Sequence, residues 1–286
     1  PSKMKKKFSI NVENSINSGQ VFLWKKNKDY WYGVNGIDIL KVDKNAKIES
    51  FQNNTIDFFR ETDDMAEIIK SISKDKIVKD AVEKFQGMRI LRQDPFQCLI
   101  SFIVSSNSNI PKIKFCLENI TKKFGKKVLW EGLEFHLFPK PQKLAKATLA
   151  EIKSCGVGYR DSFIIQAAKM AASKEIDFQN LKKMNYHTAK EEICKIPGVG
   201  NKVADCVMLF SLDKLESVPL DRWIIRILSK YYNDKFEIKT KTITPKQYDT
   251  LHQKIIEHFG PYAGYSQQFL FKSEREKNQK SWVLNP

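Results

Sequence analysis

The chain has 286 residues, enough for about two ordinary domains. With 42% hydrophobic and 12% aromatic residues it holds the material of a packed core, which excludes disorder as its main state. Lysine and arginine number 49 against 33 acidic residues, a formal net charge of +16. That excess points to a polyanionic partner, although a surface simply rich in lysine gives the same count.

In chain order, Pro1 to Phe8 carries Lys3, Lys5, Lys6 and Lys7 and reads as a solvated arm, too short for a targeting sequence. A β region follows. Phe22-Leu23-Trp24 forms a short strand and Lys26-Asn27-Lys28-Asp29 a polar turn; residues 30–34 and 37–42 then pair across Asn35-Gly36. Asn-Gly between aromatic or β-branched runs is a strong hairpin signal, because both residues tolerate the positive φ of a type I′ turn. From about Asn54 the apolar period lengthens, and Ile56, Phe59, Ile68, Ile69 and Ile72 predict helices with no further strand.

At Asp94-Pro95 an Asp N-cap precedes Pro at the first helical position, where the orphan amides gain an acceptor and proline loses nothing. Phe96, Leu99, Ile100 and Ile103 form one apolar face of that helix. After the polar stretch Ser105-Ser106-Asn107-Ser108-Asn109 a second helix starts near Pro111, with Ile113, Cys116, Leu117, Ile120 and Phe124 at helical spacing. Further helices are predicted over 144–152, 162–172, 187–194, 202–210 and 221–230. The last helix starts at Thr244-Pro245-Lys246-Gln247, a capping box with Pro at its first position. Gly-Val-Gly occurs twice between helical segments, at 156–158 and 198–200. The class is α+β: a small N-terminal antiparallel β domain with flanking helices over 1–92, then a larger all-α domain over 93–286 with a hairpin at 194–205.

Cys98, Cys116, Cys155, Cys194 and Cys206 are spread widely with no C-x-x-C pair, and the four histidines show no ligand spacing. Neither a disulfide framework nor a zinc or iron–sulfur site is expected. No apolar run approaches the ~18 residues that span a bilayer. A monomer without resident metal, with no membrane partner and an intracellular location (cytoplasm or nucleoid in a prokaryote), is expected.

The chemistry concentrates in two segments. In Ile196-Pro197-Gly198-Val199-Gly200-Asn201-Lys202 a helix reaches a proline, two glycines reverse the chain, and a new helix begins. Glycine permits positive φ and close backbone approach, and the unpaired amides of the new helix's first turn form a phosphate site at its positive end. An ordinary helical corner that binds nothing has the same pattern. Lys202 lies in that first turn, with Cys206 one turn on along the same face. The dipole disfavours its ammonium, and a dry pocket does so further; those conditions make an amine a Schiff-base nucleophile. The plain alternative is a surface lysine. Val218-Pro219-Leu220-Asp221 then places a carboxylate at another helix start, as a simple N-cap or also as support for a developing cation.

These segments resemble the helix–hairpin–helix DNA glycosylases with a Gly/Pro-rich loop and distal aspartate, and within them the 8-oxoguanine DNA glycosylase/AP lyases. Four more stretches agree with that branch: Asn17 to Trp24; Leu91-Arg92-Gln93-Asp94-Pro95 with Ser105-Ser106-Asn107; Gly158-Tyr159-Arg160; and Gly260-Pro261-Tyr262-Ala263-Gly264 with Gln267 and Phe271. The resemblance covers most of the chain, from about Asn17 to Phe271. It implies a TATA-binding-protein-like β domain beside the glycosylase domain, duplex DNA with damaged guanine as partner, base flipping, attack of Lys202 on C1′, and strand nicking by β-elimination. Asp221 would support the oxocarbenium-like transition state. Cys206 and Phe271 would sandwich the flipped purine, and Gln267 would bond its Watson–Crick edge. Tyr159 and Arg160 would wedge the duplex, Asn107 would fill the vacated space, and Gly198 and Gly200 would face the phosphates. Specificity would rest on the Gly19 carbonyl, which meets an N7–H in 8-oxoguanine and a lone pair in guanine; an unpaired buried acceptor costs about 1–3 kcal/mol. Read alone, Gly19 is a plain turn before a strand.

The resemblance also makes a monovalent cation on the carbonyls of Cys194, Ile196 and Val199 an expectation, with no redox cofactor. Three positions depart from the pattern. Trp223 replaces a phosphate-contacting histidine and offers one indole N–H. Glu274 replaces an aspartate, as a change linked to Trp223. Lys112 stands where an arginine reaches the orphaned cytosine and cannot repeat its bidentate contact, so a relaxed opposite-base preference is expected. The iron–sulfur cysteine cluster of endonuclease III and adenine glycosylases is absent. Two other readings stay open: a glycosylase for an alkylated or ring-opened purine, and a non-enzymatic DNA-binding protein that uses the hairpin for phosphate contacts alone.

Overall fold

The computed structural model describes residues 9–238 and 243–277; the arm predicted over 1–8 lies outside them. A short helix α1 (Val12–Ile16) precedes a four-stranded antiparallel meander, β1 (Trp24–Asn27), β2 (Tyr30–Asn35), β3 (Asp38–Val42) and β4 (Ile48–Ser50), whose spatial order is the chain order. Phe22 and Leu23 lie outside the ladder, although the Leu23 carbonyl still accepts the Val34 N–H at 3.0 Å. Trp24 pairs with Gly33 across β1 and β2. The indole lies over that glycine, with ring carbon Cε2 1.9 Å from where a Cβ would stand, and stacks on Phe58 at 5.1 Å.

The β2–β3 turn differs by one residue from the sequence reading. Asn35 pairs with Asp38, so the loop is Gly36-Ile37, and Gly36 (φ +63°) is the loop residue with positive φ, as at the first position of a type II′ turn. Tertiary contacts decide this. The Asn35 side-chain oxygen accepts the Asp94 N–H at 2.8 Å, the Gly36 N–H donates to Gln97 Oε1 at 2.7 Å, and Gln97 Nε2 donates to the Val34 carbonyl at 2.8 Å. The tip of the hairpin is thereby fastened to the start of the first long helix.

Ile56 and Phe59 do not begin a helix; the chain turns there. The helices start at α2 (Met65–Ile72) and α3 (Lys76–Lys84). An extended segment, 88–94, then leads to α4 (Pro95–Ser105), capped by Asp94 through the Gln97 N–H at 2.8 Å. The Arg92 N–H reaches the Phe58 carbonyl and the Gln93 N–H the Phe210 carbonyl, both at 2.9 Å, so this segment bonds to both parts of the chain. Beside it Asp213 collects Arg60 at 2.6 Å and Arg92 and Lys182 at 2.8 Å. Burial alone would raise that carboxyl, but the three cations hold it at about 2.

After α5 (Ile110–Phe124) comes a hairpin that the helical reading omitted, β5 (Lys127–Trp130) and β6 (Leu133–His136), turning at Glu131-Gly132 with both φ positive. It packs Phe135 against Tyr32 of the meander at 5.7 Å, and Glu131 accepts from Tyr32 at 2.8 Å and Lys41 at 2.7 Å. The helix predicted over 144–152 is two short ones, α6 (Pro141–Leu144) and α7 (Leu149–Ile152), because Thr148 and Glu151 form a new capping box. Then follow α8 (Asp161–Ala172), α9 (Phe178–Lys183), α10 (Tyr186–Cys194), α11 (Asn201–Ser211), α12 (Arg222–Tyr231), α13 (Asn233–Phe236), α14 (Pro245–Phe259, with the predicted Thr244 box) and a further helix, α15 (Ala263–Lys277).

The main core surrounds α4, which is buried from Phe96 to Val104, and takes in α2 and α3 as well as the later helices, while a smaller core around Trp24, Trp31 and Phe58 holds the sheet. Among the described residues no helix is long and apolar enough to cross a membrane, and no cluster of three or more His, Cys, Asp or Glu is placed to hold a metal. All five cysteines are free thiols. Because Trp24 occupies the space above Gly33, Gly33→Ala should destabilise the fold by at least about 1–3 kcal/mol, read as a lower urea midpoint at unchanged slope.

Candidate active site

The hairpin forms where α10 ends at Cys194 and α11 starts at Asn201. Gly198 has φ +81°, and a Cβ there would stand 2.4 Å from the Phe163 ring, so the turn and its packing both require glycine. Gly200 differs. It caps α11 without a side-chain acceptor, its φ is −96°, and nothing stands within 4 Å of a notional Cβ. The start of α11 therefore has no side-chain cap, and the space beside Gly200 is open.

Lys202 turns inward from this first turn into a cavity of about 810 Å³, within the usual range of about 300–1,000 Å³ for ligand sites. Its Nζ donates to Ser105 Oγ at 3.0 Å and lies 5.4 Å from the centre of the Phe102 ring. Both partners belong to the last turns of α4. Across the cavity Asp221 caps α12, accepting the Ile224 N–H at 2.8 Å. Burial pushes its carboxyl above the usual range, while Lys202, the Ile224 and Trp223 amides and Arg275 pull it back.

The remaining walls are base-sized and mostly apolar. Cys206 is buried one turn beyond Lys202, and burial pushes its thiol up to about 12 against the pull of Lys202; it is neutral near pH 7. Phe271 comes from α15, as does Gln267, whose buried Oε1 has no protein partner. Gly19 lies opposite with φ +82°, and a Cβ there would press the Phe271 ring at 3.1 Å. Its neighbours are fixed: the Ser18 carbonyl accepts from Gln268 at 2.7 Å, and the Gln20 amide group bonds the Leu91 N–H at 2.8 Å and the Arg89 carbonyl at 2.9 Å.

Asn107, Tyr159 and Arg160 gather on a rim beside the cavity. Asn107 has φ +50°, donates to Tyr159 Oη at 3.5 Å and accepts from Arg222 at 3.4 Å. Arg160 donates from Nε to the Ser106 carbonyl at 3.0 Å and from a terminal nitrogen to the Val157 carbonyl at 2.9 Å, and it stacks on Tyr159 at 4.5 Å. Tyr159 remains 58% exposed, which leaves its ring free for a partner. Lys112 stands farther along, over the half-exposed Phe115 at 5.0 Å and near Gly156.

Trp223 lines the cavity, flanked by the guanidinium groups of Arg275 at 4.6 Å and Arg226 at 5.1 Å. Burial lowers Arg275 to about 10 despite the attraction of Asp221. Glu274 accepts from Lys230 and Tyr231, each at 2.9 Å, and Arg275 stacks on Trp223. Among the cavity residues that sequence reasoning did not single out are Ser105, Phe102 and Arg275. Ser105 alone had a signal, its place two residues before Asn107.

Residues 3–99 match the family described as 8-oxoguanine DNA glycosylase, N-terminal domain, and residues 100–255 match the HhH-GPD superfamily of base excision DNA repair proteins. The chain is 29% identical over 276 residues to the N-glycosylase/DNA lyase OGG1 of Arabidopsis thaliana, covering 90% of this chain and 75% of that protein. It is 30% identical to the probable N-glycosylase/DNA lyase of Methanothermobacter thermautotrophicus, over 71% of this chain and 68% of that one. A structure of the Clostridium acetobutylicum 8-oxoguanine glycosylase/lyase with double-stranded DNA containing cytosine opposite 8-oxoguanine superposes with a TM-score of 0.83 at 31% identity, over 95% of this chain and 93% of that one. A cavity walled by Lys202, Asp221, Gly19 and Phe271, in a fold shared along nearly its whole length, places the chain in the 8-oxoguanine DNA glycosylase/lyase family of the helix–hairpin–helix base excision repair superfamily.

Proposed function

We infer that the protein excises 8-oxoguanine from duplex DNA and then nicks the abasic site. The observation that carries this is the convergence of an amine and a carboxylate, Lys202 and Asp221, on one base-sized cavity. A flipped purine stacks between Phe271 and Cys206, and the unpartnered Gln267 Oε1 accepts from its Watson–Crick N–H groups. Gly19 turns its carbonyl to N7–H, where guanine would present a lone pair instead.

The Lys202 lone pair attacks C1′ as the C1′–N9 bond breaks and its electrons leave with the base, which takes up a proton. Positive charge grows on the sugar in the transition state and is stabilised by the Asp221 carboxylate, already desolvated and held by its capping bond. Loss of the amine's second proton and opening of the sugar ring give a Schiff base between Lys202 and C1′. Removal of a C2′ proton then expels the 3′ phosphate. Ser105, as acceptor from Nζ, orients the nucleophile.

Asn107 fills the space left by the base, while Tyr159 and Arg160 hold the strands apart. Gly198 and Gly200 bring the α11 amides, and Trp223 its indole N–H, to the phosphates. Lys112 faces the orphaned base as a point charge and gives a relaxed opposite-base preference. A monovalent cation on the carbonyls of Cys194, Ile196 and Val199 fits the hairpin's oxygen donors; the Ile196 carbonyl already accepts the Val199 N–H at 3.0 Å and keeps one lone pair.

Borohydride added during reaction on duplexes with 8-oxoguanine, guanine or 7-methylguanine tests this reading. Covalent trapping is expected on 8-oxoguanine, at least about tenfold less on guanine, as one lost buried hydrogen bond implies, and none with Lys202→Gln. Equal trapping on guanine would contradict the role of Gly19, and preference for 7-methylguanine would favour the alkyl-purine reading. Since the Asp221 carboxyl is raised by burial, it takes up its proton at a higher pH than an ordinary aspartate, near 4. The single-turnover excision rate should therefore fall on acidification with a midpoint above about 4, a limb that Asp221→Asn removes. Binding to duplex DNA should weaken about a hundredfold from 50 to 200 mM salt if four phosphates are neutralised; a flat response would remove the phosphate contacts.

A further inference from the structure

Behind the cavity lies a buried polar cluster that the chemistry above does not use. Asp205, on α11 between Lys202 and Cys206, is fully buried among apolar helices. Its two oxygens accept from Tyr186 Oη at 2.7 Å and Tyr248 Oη at 2.5 Å. Tyr248 also accepts the Leu220 N–H at 3.1 Å, and His252 Nε2 accepts the Val218 N–H at 3.1 Å. The His252 ring stacks on Tyr186, with centroids 4.9 Å apart and planes 7° from parallel. Tyr248 and His252 lie one turn apart on α14. Lys190, itself buried, stands 3.7 Å from Asp205 and 3.1 Å from Asp249.

The two amides held in this way belong to the residues just before Asp221. They are the loop that delivers the carboxylate to α12. None of Asp205, Tyr248 and His252 lines the cavity, so none can touch a flipped base. We propose that Asp205, Tyr248 and His252 are positioning residues that fasten the loop bearing Asp221 to the helix bearing Lys202.

The chemistry of each member suits that task. Burial lowers His252 to about 3, so its ring is neutral at working pH and Nε2 keeps the lone pair that the Val218 amide needs. Tyr248 has one proton and gives it to Asp205 at the shorter distance, which turns an oxygen lone pair toward Leu220. Burial raises the Asp205 carboxyl to about 6 against the Lys190 charge and the two tyrosine donors, and near pH 7 it accepts from both tyrosines. A carboxylate needs no such burial to cap a helix or fill a core, and a hydrophobic residue of similar volume would cost less there. Because catalysis is sensitive to displacements on the scale of 1 Å, a tether on this loop would be read in the rate of base release rather than in DNA affinity. The proposal rests on the reading of Asp221 as the electrostatic support for base excision.

Three variants test it in the intact protein with 8-oxoguanine duplex. Tyr248→Phe removes the Leu220 acceptor and His252→Leu the Val218 acceptor. Tyr186→Phe strips Asp205 of a comparable donor; its hydroxyl also stands 3.0 Å from His252 Nε2, but it bonds neither loop amide, so the variant matches the burial change while Val218 and Leu220 keep their acceptors. The single-turnover excision constant should fall roughly tenfold in Tyr248→Phe and in His252→Leu, and stay within about twofold in Tyr186→Phe. Burst amplitude per folded molecule, the DNA dissociation constant and borohydride trapping on a preformed abasic duplex should all stay within about twofold. Should Tyr248→Phe fail to fold, His252→Leu carries the same comparison. Equal slowing of Tyr248→Phe and Tyr186→Phe, a parallel loss of excision and trapping, or a reduced amplitude at an unchanged rate constant would each overturn the tether. A wild-type protein that leaves 8-oxoguanine in place would instead overturn the functional reading beneath it, whereas normal wild-type excision with an undiminished Tyr248→Phe rate would overturn the tether alone.

Discussion

Two helix N-termini meet at one cavity, and they carry opposite charges. At α12 the arrangement is the ordinary one: the Asp221 carboxylate sits at the positive end of the dipole and bonds a first-turn amide, which stabilises helix and anion together. At α11 it is reversed. Gly200 supplies no capping acceptor, and a lysine occupies the turn where the dipole opposes a cation. A protein selected for stability alone has little reason to place Lys202 there, nor to leave the Gln267 oxygen buried without a donor. In the proposed complex both costs are removed, with phosphates on the uncapped amides and a base on the amide oxygen.

Around that arrangement the fold acts as a frame. The hairpin is held shut by Gly198 against Phe163, α4 brings Ser105 and Phe102 to the lysine, and α15 reaches back across the molecule to supply Gln267 and Phe271. The N-terminal part contributes Gly19, a single backbone position whose neighbours Ser18 and Gln20 are bonded to α15 and to the segment that precedes α4. The carbonyl proposed to read N7 is therefore set by two distant parts of the chain. Rigid placement of one acceptor is what allows it to separate two bases that differ by a proton.

Much of this was readable in the residues because the signals are local. Asp94-Pro95 and the Thr244 capping box start helices where they were expected to, and the Pro-Gly-Val-Gly turn reverses the chain at Gly198, whose positive φ requires glycine. The failures have long-range causes. The β2–β3 turn moved one residue because Asn35 and Gly36 bond to the start of α4, over fifty residues away. The β5–β6 hairpin escaped notice because Glu-Gly is a weaker turn signal than Asn-Gly, and its stability comes from Tyr32 and Lys41 of another sheet. Within the site, Gly19, Lys202, Cys206, Asp221, Trp223, Gln267 and Phe271 line the cavity, and Asn107, Tyr159 and Arg160 gather beside it, whereas Lys112, Gly198 and Gly200 do not line it. Arg275 and the Asp205 cluster were invisible because each draws its meaning from a partner on a different helix.

The central claim is that the Lys202 amine forms the covalent bond to the sugar. Reducing the reaction with borohydride, digesting the protein and locating the nucleotide adduct by mass spectrometry tests this most directly. The adduct is expected on the peptide that contains Lys202 and on no other. An adduct on a different lysine or on the chain's terminal amine, with Lys202 recovered unmodified, would contradict it.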